Sequence, residues 1–231
     1  MKTLYNFICY AILAPAIISC QNNDKVENGI KYDESAVVAS TKDLSAATSY
    51  NIGYAAFHSG NYKQAIKLYR KAIEIDPKYV DAYDNCGLSY RRLGILDSAE
   101  YFYKESIKIY PQGTTSHGNL AIVYTERGQN DKAIQEYEVL AKYNPNDPES
   151  YYGQAGVYID MKEYDKAIPL AKKSIDLFEK YKPEYAGDAY YYVGLAYLKL
   201  KDKVKAKEYI NKAVQKGSTP PPNIMAELES K

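Results

Sequence analysis

The chain has no tryptophan, only three cysteines and only two histidines in 231 residues. Three cysteines cannot build a disulfide framework, and two histidines leave little for a histidine-rich metal site. Neither sign of charge is in excess, because 30 lysines and arginines face 29 aspartates and glutamates. That balance leaves no electrostatic footprint for nucleic acid and argues against a polybasic membrane patch. A glycine-rich phosphate loop, a nucleophile elbow and a His-Glu-x-x-His pair are also missing. The expectation is therefore a non-enzymatic chain with no cofactor and no metal. Hydrophobic residues at 46% and charged ones at 26% mark a soluble, core-forming chain. Tyrosine is abundant, with 27 residues. Its large apolar ring with a polar tip suits half-buried helix faces.

One sizeable apolar run exists, from Leu4 to Ile18, after a single lysine and before Ser19-Cys20. It is shorter than the roughly 20 residues of a spanning helix and contains Pro15, the pattern of a secretory signal. Its ending, Ile17-Ile18-Ser19-Cys20, resembles the lipobox of bacterial lipoproteins. The resemblance implies that residues 1–19 are a signal peptide, that the Cys20 thiol is acylated, and that the chain is anchored in the bacterial cell envelope. Gln21 after the cysteine favours the outer membrane by that family's sorting rules, with the periplasmic or surface face left open. Cys9 leaves with the leader and Cys20 carries lipid, so Cys86 alone remains and no intramolecular disulfide can form. Residues 20–45 read as the lipidated cysteine and a flexible tether. As a coil, about 24 residues have an end-to-end distance of roughly 25–30 Å.

The strongest signal is internal repetition. Pro77, Pro111 and Pro145 recur every 34 residues, as do Gly53, Gly87, Ala121 and Ala155. Ala65, Ala99, Ala133 and Ala167 form another row, and Tyr69, Tyr103 and Tyr137 a further one. On these rows the chain resembles the tetratricopeptide repeat family. The resemblance implies an all-α, right-handed α-solenoid of about five helix-turn-helix repeats, at 46–79, 80–113, 114–147, 148–186 and 187–220. Gly194 follows Ala155 by 39 residues, which places about five extra residues near Tyr181–Ala186. The small residues of helix A and the alanines of helix B are expected at one close crossing. Gly60, Gly94 and Gly128 suit a left-handed turn between the helices. Lys162 and Lys201 replace glycine later, so those two turns are expected to differ. Tyr90, Tyr124, Tyr158 and Tyr197 are expected to pack one repeat on the next. Residues 221–231 read as a capping segment, with Ile224, Met225 and Leu228 covering an exposed end.

In this family ligand contacts come mainly from the concave helix A faces. The resemblance thus carries a partner site onto Tyr50, Asn51, Tyr54 and His58 of repeat one, and Asp84, Asn85, Arg91 and Arg92 of repeat two. It continues with Asn119 and Glu126 of repeat three, Tyr152 of repeat four and Tyr191 of repeat five; Glu149, Asp188 and Tyr192 share those faces. An amide row at Asn51, Asn85 and Asn119 could bond a peptide backbone of any sequence; asparagine there is also ordinary for the repeat. Arg91 and Arg92 could grip a carboxylate or complement a helix C-terminus. The carboxylate clamp of the chaperone-binding version is not expected, because Tyr50 and Tyr54 stand where it needs lysine and asparagine. The expected function is a lipid-anchored scaffold for a protein or peptide partner in envelope assembly. The alternative is a glycan-binding or polysaccharide-export module, with Tyr50, Tyr54, Tyr152, Tyr191 and Tyr192 stacking on sugar rings. A third reading is self-association through exposed helix faces.

Overall fold

A computed structural model describes residues 24–27, 30–33 and 41–229. The leader and Cys20 lie outside the described residues. Within the expected tether, β1 (Asp24–Glu27) and β2 (Ile30–Asp33) form an antiparallel pair in which Glu27 faces Ile30 and Asp24 faces Asp33. The tether therefore contains a hairpin. Its cause is visible in the sequence: Asn28-Gly29 between alternating residues is a strong short-range hairpin signal.

The remainder is all-α, as the repeats predict. Helices α1 (Leu44–His58) and α2 (Tyr62–Ile75) pair, as do α3 (Val80–Arg92) and α4 (Leu96–Ile109). Then follow α5 (Thr114–Glu126), α6 (Asn130–Tyr143), α7 (Pro148–Asp160) and α8 (Tyr164–Tyr181). The last elements are α9 (Ala186–Lys199), α10 (Lys203–Gln215) and α11 (Pro222–Glu229). Helices α3, α5 and α7 start at the residues the 34-residue spacing predicts. The chain forms two compact units that divide inside α5, one ending at Ser116 and the other beginning at His117.

Asp43 caps α1 by accepting from the amides of Ser45 and Ala46 at 2.8 and 3.0 Å, satisfying N–H groups that the helix leaves open. Thr41 donates to Asp76 at the end of α2. The extra residues of repeat four lengthen its second helix: α8 has 18 residues where α2, α4 and α6 have 14, and a 3-10 turn at Pro183–Tyr185 follows. Pro169 stands inside α8, on its exposed side. At the far end, α11 packs on α10 and buries Ile224 and Leu228.

Two packing expectations are corrected. The atoms nearest a side chain at Gly53 and Gly87 belong to Tyr69 and Tyr103, one turn beyond Ala65 and Ala99. A β-carbon on Gly87 would meet the Tyr103 ring at 2.8 Å. Helix A lacks a side chain there so that a helix B ring can lie against its backbone. In repeat five Ile210 takes that place over Gly194, where a β-carbon would also lie 3.3 Å from the Ala206 carbonyl as expected, and in repeat four the corresponding positions hold Ala155 and Ala171, both fully buried. Tyr137 instead lies over Gly153 of the following repeat. Tyr90, for its part, stacks on Phe102 of its own repeat, centroids 5.4 Å apart.

The turns bring a further correction. Gly60, Gly94 and Gly128 have φ of 79°, 74° and 69°, and Lys162 and Lys201 have 62° and 65°. The hydrogen bonds match as well: Asn61 N donates to Ala56 O at 2.9 Å, Glu163 N to Tyr158 O at 2.8 Å, and Asp202 N to Tyr197 O at 2.9 Å. The lysine turns therefore do not differ. They hold the glycine geometry at a cost of about 1–2 kcal/mol each.

Candidate functional site

In the first unit the helix A faces belong to α1 and α3, which touch. Tyr50 is 1% exposed and lies 5.4 Å from Tyr69 and 5.0 Å from Tyr79 between ring centroids. Burial pushes its hydroxyl far above the ordinary tyrosine range. Asn85 donates to the Tyr50 hydroxyl at 2.9 Å and to the Asp81 carbonyl at 3.0 Å. One amide proton thus serves an internal joint between repeats one and two, and the other bonds back to its own helix. Asn51 is buried as well, and Asn119 is half-buried in the second unit.

Asp84 is also internal. It accepts from Ser116 Oγ at 2.7 Å, and Ser106 Oγ lies 2.9 Å from Ser116 Oγ. Because the Ser116 proton is directed at the carboxylate, Ser106 must donate to Ser116. Arg91 is buried and Arg92 half-buried. What this face leaves accessible is Tyr54, half-buried, with its ring 4.3 Å from that of exposed His58. Cys86 is buried and its thiol is pushed up to about 12 by burial, which leaves it unreactive.

In the second unit α7 and α9 touch along their helix A faces. Tyr152 and Tyr192 stack almost parallel, 4.6 Å between centroids and 4° between planes. Gly156 makes room for this stack, since a β-carbon there would lie 3.1 Å from the Tyr192 ring. Tyr152 and Tyr191, 8% and 5% exposed, are packing residues rather than free rings. Of the rings the glycan reading relied on, Tyr54 alone is more than marginally exposed.

Beside the stack lies a carboxylate that the sequence placed on this face without singling it out. Glu149 precedes Tyr152 by three residues, so both share a face. Burial lifts its carboxyl to about 7, Asp147 adds to the rise, and Lys182 partly offsets it. Asp147 is itself raised, again chiefly by burial. Exposed Asp188 accepts from Ser218 Oγ at 2.8 Å. The i, i+3 spacing of Glu149 and Tyr152 was the available signal. The partner of buried His117 had none: Glu136, nineteen residues away, accepts from Nδ1 at 2.6 Å. Exposed Glu126 ends α5. Among the described residues no three His, Cys, Asp or Glu side chains converge as a metal site, and no helix is long and apolar enough to cross a membrane.

Comparison with known proteins bears on the repeat unit. The TPR repeat model matches residues 53–94 and 123–161, and a second tetratricopeptide repeat model matches 148–181 and 187–215. No curated protein matches the chain. Among solved structures, MamA is 27% identical, with 71% of this chain and 94% of that one covered at a TM-score of 0.64. YrrB, described as a TPR protein with an unusual peptide-binding site, is 20% identical over 84% of this chain and 94% of its own, TM-score 0.61. The pilF protein of Pseudomonas aeruginosa is 20% identical over 76% and 78%, TM-score 0.67. At those two lower identities the likeness is one of fold.

Proposed function

That the chain is built from tetratricopeptide repeats is the premise from which we propose a scaffold binding a protein or peptide partner on its helix A faces. The observation that carries this reading is the face shared by α7 and α9. There a half-buried carboxyl, Glu149, sits beside the stacked rings of Tyr152 and Tyr192. A carboxyl kept from water gains from an arriving cation, and the buried stack beside it holds that face rigid. The partner segment is therefore basic, with a lysine or arginine set against Glu149. In the first unit Tyr54 and His58 offer a flatter aromatic contact. YrrB supports the reading by analogy of fold alone.

The proposal includes acylation at Cys20, an anchor in the outer membrane, and a role in assembling an envelope complex. These parts rest on the lipobox resemblance. Cys20→Ala abolishes metabolic labelling by a fatty-acid probe; persistent labelling removes the anchor from the proposal. For the face itself, selection from a random peptide library should enrich lysine and arginine, more strongly at pH 8 than at pH 6 because Glu149 is then charged. Glu149→Gln should lose both the enrichment and its pH dependence. Enrichment of acidic or purely apolar peptides would refute the assignment.

A further inference from the structure

The even overall charge conceals an uneven distribution. From Lys199 to Lys216 the chain carries seven lysines against Asp202 and Glu208. The corresponding stretch of repeat two, Arg92 to Ile109, carries Arg92, Lys104 and Lys108 against Asp97, Glu100 and Glu105. Of the seven, Lys199 pairs with Glu227, Lys205 with Asp202, Lys212 with Glu208 and Lys216 with Glu179. Among the described residues Lys162, Lys201 and Lys207 form no ion pair.

Apolar side chains lie among these lysines. Val204 is 83% exposed, and Leu200 and Val214 are exposed too. Val204 and Lys207 are three apart on α10 and share a face. Leu200 lines the same shallow hollow as Lys162 and Lys166, so the turns of repeats four and five border one edge of the second unit. At those turns lysine occupies a left-handed backbone position that glycine holds in the earlier repeats. Strain retained in two successive turns places Lys201, one of the seven, and adds Lys162 to that edge.

We propose that this edge, Lys162, Lys201, Lys203 and Lys207 around Leu200 and Val204, docks on the anionic phospholipid surface of a bilayer. Charge complementarity selects the occupant. Phosphate-bearing headgroups match many lysines without fixed geometry, and small aliphatic groups between lysines suit the boundary of headgroups and acyl chains. Lysine stems lie along the apolar surface while their ammonium groups reach the phosphates. A lysine-studded edge with only a shallow hollow offers little to a shaped protein partner. The docking edge is independent of the α7–α9 face and does not require acylation.

The test is co-sedimentation of the full chain carrying Cys20→Ser with vesicles of phosphatidylcholine alone or mixed with phosphatidylglycerol. Partition onto the anionic vesicles should exceed that onto neutral ones about tenfold or more at about 0.1 M salt, and the excess should vanish at about 0.5 M. Combined Lys201→Glu, Lys203→Glu and Lys207→Glu should abolish the excess, whereas combined Lys63→Glu, Lys67→Glu and Lys71→Glu on α2 should leave it. Thermal melts establish that each variant is folded. Lys162→Glu alone, which alters only an exposed turn, should lower the excess by roughly fivefold. Equal partition onto both vesicles overturns the proposal, as does equal loss in the α2 variant. So does retention of an acidic protein without preference for anionic vesicles.

Discussion

Repeats one and two turn on glycine and set Gly53 under Tyr69 and Gly87 under Tyr103; repeats four and five turn on lysine, with buried Ala155 and Ala171 at the corresponding positions of repeat four and Gly194 under Ile210 in repeat five. The backbone outcome is the same in both regions. A left-handed φ near 60–80° recurs whether the residue is Gly60 or Lys162. Helix pairing therefore dictates the turn, and the residue in it either meets the demand freely or is strained by it. Volume at the helix crossing is likewise held by the pair. A missing side chain on helix A goes with a large one on helix B, Tyr69, Tyr103 or Ile210.

The largest test of this comparison converts one solution into the other. Tyr103→Ala should cost about 3–5 kcal/mol through the cavity it opens, and Gly87→Ala about 1–3 kcal/mol through overpacking. Together they put alanine at both positions, as Ala155 and Ala171 stand in repeat four, and the smaller partner relieves the overpacking, so the double variant should be milder than their sum by at least about 1 kcal/mol. Strict additivity in denaturant unfolding would break the comparison.

A second difference is electrostatic. The second unit holds a carboxyl, Glu149, raised by burial from its ordinary value of 4.5 to about 7. A raised carboxyl favours the protonated folded form. Its stabilisation is complete below about pH 4.5 and is lost as pH climbs through about 7. Glu149→Gln should therefore flatten the decline in stability between pH 5 and pH 8 by about 1–3 kcal/mol. An unchanged slope would show that Glu149 is not the group that titrates.

The turns give a smaller effect. Lys162→Gly and Lys201→Gly should each stabilise by about 0.5–1 kcal/mol, since relief of strain exceeds the added freedom of the unfolded chain. Gly60→Lys should destabilise by a similar amount. Destabilisation by both glycine variants would mean that the lysines contribute contacts which outweigh the strain. Smallest is Tyr69→Phe. Among the described residues the buried Tyr69 hydroxyl has no hydrogen-bond partner, so its removal should be neutral or stabilising by up to about 1 kcal/mol. A clear loss in the melting curve would reveal a partner for it.

These contrasts also show what the sequence made legible. The 34-residue rows place the starts of α3, α5 and α7 to the residue, because proline and small residues mark every unit. The same rows do not report depth. Tyr50 and Asn85 sit at ligand-contact positions, yet their hydrogen bond closes the joint between two repeats. Asp84 is withdrawn by serines 22 and 32 residues away, a separation that no local pattern encodes. Residue type does not predict the lysine turns, because the flanking helices set the backbone there. The hairpin at Asp24–Asp33 was legible in Asn28-Gly29 and was hidden by the polar character around it.

The most direct measurement is in-cell cross-linking followed by pull-down and mass spectrometry. It compares the unaltered chain with Glu149→Arg on the α7–α9 face and with Lys207→Glu on α10. The expected result is one protein partner captured by the unaltered chain and by Lys207→Glu, and lost with Glu149→Arg. Capture that survives Glu149→Arg, or that disappears only with Lys207→Glu, would contradict partner binding on the helix A face.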